Sequence, residues 1–377
     1  MSSSQELYRR LSSTFFALVK GTNRKQVANW IWIVVGLLQS NSLALSQIAT
    51  PLPMKTTAEA RVALIRRWLK NFRVDVWAFY EPILNHVFQG WHAVEAIIIL
   101  DGVLVFGDRW QIFRVSLRHG CRAIPLGWVV LAGTGVTSVE KLEGMLSRVA
   151  RFLQGRVKRV IFLADRGFRD CDWAHLCQKL RWNYAIRVMN NTYVTLPDGR
   201  LRRIDRLGVP RGQRRYFQNV LLTREAKLRT HLSVGWTDGN AQHAPELLAI
   251  ISDQCACRLR LREYGFRMSM EESFRDDKSG GFGMAHTRLQ HADRIERLLL
   301  ALAMATLWCH ELGEDVLTEG EAARRQIDPG ASRELSLFQL GLRWLKRALA
   351  TAVVPLPAFQ ARLSDVKLEP LQFLPSS

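Results

Sequence analysis

The chain has 377 residues, 48% apolar and 23% charged, which excludes a disordered polyelectrolyte and suits two or three packed units. Fifty-three Lys and Arg against 34 Asp and Glu leave a net charge of +19, the balance of a protein that meets polyanions, nucleic acid first among them. Met1 opens a polar stretch rather than a secretory leader, and the apolar runs Trp30 to Leu38 and Leu298 to Trp308 fall short of the ~20 residues that span a bilayer. Six scattered cysteines suggest no disulfide framework, and Cys255 and Cys257 are too close for a zinc knuckle. A cytoplasmic protein with reduced thiols and no membrane partner is expected.

Residues 1–90 read as helical. Lys25 to Gln39 is amphipathic and stops at Ser40-Asn41; a short helix fits Leu43 to Ile48, and Thr56 or Thr57 can cap another through Asn71. Two helices joined by a polar turn are compatible with a helix-turn-helix, and a plain helical bundle fits equally well. The segment holds 11 Lys and Arg against four acids.

Beyond residue 90 the periodicity changes. Ala96 to Leu100 is a buried-strand run ending in Asp101-Gly102, followed by strands Gln111 to Leu117 and Ala123 to Leu131 around Arg118-His119-Gly120. A helix over Ser138 to Gln154 precedes the strand Val160 to Ala164, which ends in Asp165-Arg166-Gly167. A helix near Trp173 to Leu180 and a strand from Tyr184 to Val188 complete residues 91–189. Three strands, then helix, strand, helix, strand, is the order of an RNase-H-like α/β fold: a mixed sheet flanked by helices.

Residues 190–246 interrupt that rhythm with short strands, Tyr216 to Leu222 and His231 to Trp236, and ten Lys and Arg against three acids from Asp198 to Arg229; a basic, β-rich insertion is expected. The core resumes over 247–312 with the strand Leu247 to Ser252, one helix from Arg258 to Lys278 and an apolar helix from Ile295 to Cys309. In the helical C-terminal region, 313–377, Leu335, Leu337, Phe338, Leu342, Leu345 and Leu349 make an apolar stripe that either packs on the same chain or serves dimerisation.

On the Arg258 to Lys278 helix, Tyr264, Arg267, Glu271 and Lys278 are spaced by three, four and seven residues. At about 100° per residue they share one narrow face, and Phe266, Met270 and Phe274 form an apolar stripe beside it. Asp101 and Asp165 each follow a buried strand, and each alone is as well explained by a turn. In an RNase-H-like sheet, however, the first and fourth strands are neighbours, so their ends bring the two carboxylates together and a later helix can add a third. Three converging carboxylates are a hard-oxygen set suited to Mg²⁺ or Mn²⁺.

Tyr264-x2-Arg267-x3-Glu271-x6-Lys278, with Glu272 following Glu271, resembles the signature of DDE transposases of the insertion sequence four superfamily, and Asp165-Arg166-Gly167-Phe168 resembles their second-aspartate motif. The resemblance runs from about residue 95 to 310. It implies cut-and-paste DNA transposition at terminal inverted repeats and into target DNA, with end cleavage through a hairpin and a synaptic homodimer. It assigns two Mg²⁺ ions to Asp101, Asp165 and Glu271, with Asp108 as the substitute for Asp101. It implies DNA contacts for Tyr264, Arg267 and Lys278, and makes Trp236 the candidate for stacking on a flipped base. The front domain, 1–90, would bind the DNA end. The competing readings are an inactive transposase-derived DNA-binding protein or repressor, marked by loss of one carboxylate, and a stand-alone nuclease on the same fold.

Overall fold

The computed structural model describes residues 2–351, apart from 121, 136, 226, 238–243, 278–280 and 285–286. Five helices come first: α1 (Ser3–Leu18), α2 (Arg24–Ser40), α3 (Leu45–Ala49), α4 (Ala58–Lys70) and α5 (Val76–Val87). Their starts follow from side-chain caps. Ser2 and Gln5 form a reciprocal capping box on α1, while Asn23, Thr57 and Asp75 accept the free backbone N–H groups of α2, α4 and α5. Helix α2 is the hub, with Trp30, Ile31, Val34, Val35 and Leu38 all buried. A Cβ on Gly36 would stand 2.2 Å from the Ile48 carbonyl oxygen, so only glycine lets α3 approach this closely. Of the two arrangements the sequence allows, this is a helical bundle: α2 is enclosed, and α3 has only five residues. These helices share one continuous apolar cluster with the rest of the chain, so residues 1–90 have no separate core.

The central sheet starts with β1 (Ala93–Val105), β2 (Trp110–His119) and β3 (Arg122–Ala132), antiparallel in series. After α6 (Val139–Leu153), β4 (Val157–Ala164) pairs parallel to β1, and after α7 (Cys171–Lys179), β5 (Asn183–Arg187) pairs parallel to β4. The resulting order, β3-β2-β1-β4-β5, is the RNase-H-like arrangement expected from the element sequence. The basic segment after residue 190 does form strands: β6 (Tyr193–Thr195), β7 (Leu201–Arg203), β8 (Arg214–Leu222) and β9 (Leu228–Trp236). They extend the same sheet. Strand β10 (Leu247–Ser252) pairs with β5, and β9, β8, β6 and β7 follow, giving ten strands in one ladder.

The helix expected over Arg258 to Lys278 is two: α8 (Arg258–Gly265) and α9 (Met268–Arg275). The break falls at Gly265, a poor helix former, where Phe266 and Arg267 donate to the carbonyls three residues back, Glu263 and Tyr264, instead of four. Helix α10 (Ala292–Glu319) runs through the core, followed by α11 (Glu321–Arg325) and α12 (Leu337–Ala350). Helix α12 packs on α10 at near-backbone contact: a Cβ on Gly341 would lie 1.7 Å from the Cys309 carbonyl oxygen, and one on Gly313 2.1 Å from that of Leu337. Leu337, Phe338, Leu342 and Leu345 are thereby buried within the chain, which removes them as an exposed dimer contact. Among the described residues no helix is long and apolar enough to cross a membrane.

Candidate active site

Strand β1 does not end at Asp101, as its Asp-Gly dipeptide suggested. The hairpin with β2 carries it on to Val105, with Asp101 opposite Arg114 and Gly102 opposite Phe113. A Cβ on Gly102 would meet the Phe113 ring at 2.9 Å, so this glycine serves close packing inside a strand, not a turn. What ends at Leu100 is the parallel pairing, whose last register pair is Leu100 with Ala164. Asp101 and Asp165 are therefore the next residues on adjacent strands, at the edge where β4 stops. Asp165 turns out of the sheet, its carboxylate accepting from the Arg166 N–H. Phe168 pins the turn below it, buried edge-on against Phe113 and Trp173. Asp108, the alternative first carboxylate, is exposed in the β1–β2 turn, where Phe106, Gly107 and Asp108 all have positive φ.

Helix α9 delivers the third carboxylate. Met270 and Phe274, two residues of the expected stripe, are buried against the sheet, and Phe266 packs under the Arg118 guanidinium at 3.9 Å from its centroid. Polar clamps add to this apolar face. Ser273 accepts from the Ala123 N–H at 2.9 Å, and Arg122 donates to Asp276 at 2.7 Å. Arg114 reaches from β2 to the buried Asp277 and lies over the Phe274 ring. The helix is thus fixed at both ends relative to β1.

Arg267 lies at the centre of the site. Its Nη1 donates to Asp101 Oδ2 at 2.6 Å and its Nη2 to Glu271 Oε1, so one guanidinium bridges two of the three carboxylates. The Arg267 side chain is only 11% exposed, whereas that of Glu271 is 43% exposed. Burial raises the Asp101 carboxyl to about 6, against the opposing pull of Arg267 and the Gly102 N–H, and the negative charges of Asp165 and Glu271 push it the same way as burial. Asp101 thus feels the charge of both other acids. Burial also works against the Arg267 charge, but Tyr264 and the three acids outweigh it and hold its pKa above the ordinary value. The carboxylate is the member of the pair that titrates.

Tyr264 is buried beside Arg267, its hydroxyl pushed up to about 12 by burial, against the opposing pull of the Arg267 charge. Lys278 lies outside the described residues. Trp236, the last residue of β9, is partly buried; its indole N–H donates to the Val209 carbonyl at 2.8 Å, and Arg211 lies over its ring. The structure places Trp236 in the sheet extension and does not bring it among the carboxylates' contacts. One residue went unnoticed in the sequence: Arg187, at the end of β5. Ala164 pairs with Ile186, so Arg187 is Asp165's neighbour in register, and it shares Glu246 with Arg166. Its only sequence signal was an arginine closing an apolar strand.

Oxygen ligands alone suit a hard divalent cation. As the side chains stand, no three His, Cys, Asp or Glu among the described residues are close enough to hold a metal ion, and the Arg267 guanidinium takes the central position between Asp101 and Glu271. The donor chemistry, three carboxylates, is of the kind a hard divalent ion takes.

Residues 134–308 match a family described as the transposase DDE domain. That span includes Asp165, Tyr264, Arg267 and Glu271, with Asp101 upstream of it. No curated protein matches the chain. Among solved structures, a cryo-EM structure of the piggyBac transposase synaptic complex with hairpin DNA is similar over 93% of this chain and 83% of that one, at 10% identity and a TM-score of 0.44.

Proposed function

We propose that this chain, whose residues 134–308 match the transposase DDE domain family, is a DDE transposase that performs metal-dependent cut-and-paste DNA transposition, cleaving transposon ends through a hairpin and joining them to target DNA. The observation that carries the reading is the register: Asp101 and Asp165 follow the last parallel pair of β1 and β4, and Arg267 links Asp101 to Glu271. In this reading Asp101, Asp165 and Glu271 hold Mg²⁺, or Mn²⁺ in its place, as two ions. When bound, such ions stabilise the attacking and leaving oxygens of a phosphoryl transfer. DDE transposases use divalent metals as a class.

The chain's own residues have separate tasks. Arg267, once released from the carboxylates, binds a DNA phosphate next to the scissile bond. The Tyr264 side chain, beside Arg267, is placed to contact a nucleotide brought into the site, and Lys278 and Trp236 act as further DNA contacts. The protein works as a homodimer on paired ends in the cytoplasm of its cell. The inactive alternative is disfavoured because all three carboxylates are present.

The test is nicking of a duplex bearing the inverted repeats that flank the gene. Asp101→Asn, Asp165→Asn and Glu271→Gln should each bind the duplex and fail to nick it in Mg²⁺, whereas Asp108→Asn should nick normally. Nicking by Glu271→Gln at the wild-type rate would remove Glu271 from the site.

A further inference from the structure

A second concave surface lies outside the carboxylate site. It is a groove of about 840 Å³ between α3 and α4 on one side and residues 288–294, the lead into α10, on the other. Arg66, Arg67 and Lys70 line the first wall, Arg288 and Arg294 the second, and among the described residues no Asp or Glu lines the groove. Several arginines elsewhere in this protein hold acids in ion pairs, Arg114, Arg122, Arg267 and Arg324 among them. None of the five groove cations is in a salt bridge among the described residues.

The two walls are fixed relative to each other. The buried Arg297 guanidinium of α10 donates to the carbonyls of Leu69 at 2.8 Å and Val74 at 3.2 Å, tying the first turns of α10 to the end of α4. The Leu43 N–H donates to the Phe282 carbonyl at 2.8 Å, joining the strip before α3 to the segment between α9 and α10. Helix α4 is itself held inward by Ile65, Trp68 and Leu69, with the Trp68 indole donating to the Gln26 carbonyl, so Arg66, Arg67 and Lys70 face out. Five like charges held around one concavity repel one another until an anion enters, and holding them there in advance lowers the entropic penalty of binding it. Ser46, Gln47 and Gln290 add neutral groups able to bond phosphate oxygens.

The groove is oriented toward the chemistry. Strands β1 and β3 run the same way, since both are antiparallel to β2. The start of α10 is anchored near the C-terminal end of β3, where Glu296 accepts from the Val130 N–H at 2.9 Å and from the Trp128 indole. That is the end of the sheet toward which β1 and β4 carry Asp101 and Asp165.

We propose that this groove is a duplex-DNA backbone site, built jointly by the front helices and residues 288–294, which holds DNA leading toward the carboxylates. It rests on the transposase reading above and adds to it where the duplex is gripped. The composite wall means that backbone binding is not a property of residues 1–90 alone.

The test is fluorescence anisotropy of the full chain with a labelled 30-bp duplex of arbitrary sequence, in EDTA, across a NaCl series. Each phosphate contact contributes a slope of about −0.9 to log K against log salt. Arg66→Ala/Arg67→Ala/Lys70→Ala should therefore flatten the slope by about 3, and Arg288→Ala/Arg294→Ala by about 2. Lys141→Ala/Arg151→Ala/Lys158→Ala, which removes three exposed charges from α6 and β4, should change it by less than one. Thermal melts check that each variant is folded. Groove variants that bind like the wild type, or no worse than the α6–β4 control, overturn the groove. Poly-glutamate that displaces the duplex at equal charge concentration also overturns it, in favour of an acidic protein partner. A wild type that does not bind the duplex at all overturns the transposase reading itself.

Discussion

The Arg267 guanidinium donates to the Asp101 carboxylate at 2.6 Å inside the site, with Glu271 held by its other nitrogen. One cation, at the N-cap of α9, thus sits between two of the acids proposed to hold the metal. In the proposed reaction, arginine and metal would compete for the same oxygens, with a DNA phosphate as the alternative partner for the arginine.

The first prediction follows from that competition. Arg267→Gln should bind Mn²⁺ more tightly than the wild type when DNA is absent, by roughly tenfold if the guanidinium contributes about 1.4 kcal/mol of competition. Its melting temperature should fall in EDTA and recover in Mg²⁺ more than that of the wild type, because the three acids then lack a counter-ion. Titration calorimetry and thermal melts read this, and unchanged Mn²⁺ affinity would show that Arg267 does not compete.

The second concerns pH. The Asp101 carboxyl, raised to about 6 by burial, is protonated below that value, and metal ligation requires the ionised form. Mn²⁺ affinity should be constant well above pH 6 and fall by up to tenfold per unit below it. The sign for stability is opposite: the folded state holds this proton more tightly than the unfolded chain, so Asp101 lowers stability as pH rises from about 4 through 6. In Asp101→Asn that loss should disappear from the pH profile of the melting temperature.

A third prediction tests the clamp beneath α9. Asp277 is buried against Arg114, and removing one partner leaves the other charge unpaired in the interior. Asp277→Ala should lower stability by about 3–5 kcal/mol in denaturant unfolding. Glu272→Ala, whose carboxylate is partly exposed beside Arg275 and Arg122, should change it by about 1 kcal/mol or less. Equal effects would mean that the buried pair does not hold the helix.

The fourth is set by α12. Leu345 is fully buried on α10, so Leu345→Asp should unfold or aggregate the protein rather than selectively remove paired-end complexes. Gly341→Ala should also destabilise it, since the added methyl would lie 1.7 Å from the Cys309 carbonyl oxygen. A folded, monomeric Leu345→Asp that still binds single ends would restore the stripe as a dimer contact.

Much of this protein was legible in its sequence because periodicity and spacing are local. The apolar runs at Ala96, Gln111, Ala123, Val160 and Tyr184 specified five strands, and their order with the two helices between them specified the RNase-H-like sheet. The spacing of Tyr264, Arg267 and Glu271 put them on one side of the chain, and the Phe266, Met270 and Phe274 stripe told which side faced the sheet. Tertiary structure decided what depends on pairing between distant segments. Gly102 read as a turn because Asp-Gly favours one locally, but β2 extends the strand through it and Phe113 needs the space of a missing side chain. The basic insertion read as a separate unit because its composition shifts, yet β10, paired on one side with β5, has a second edge that β9 of the insertion satisfies by hydrogen bonding. The stripe on α12 could face a second chain or its own, and only the glycine-to-carbonyl contacts with α10 decide that it faces its own. Arg267 against Asp101, and Arg187 beside Asp165, are juxtapositions of residues far apart in the chain. No local pattern encodes a distance of that kind.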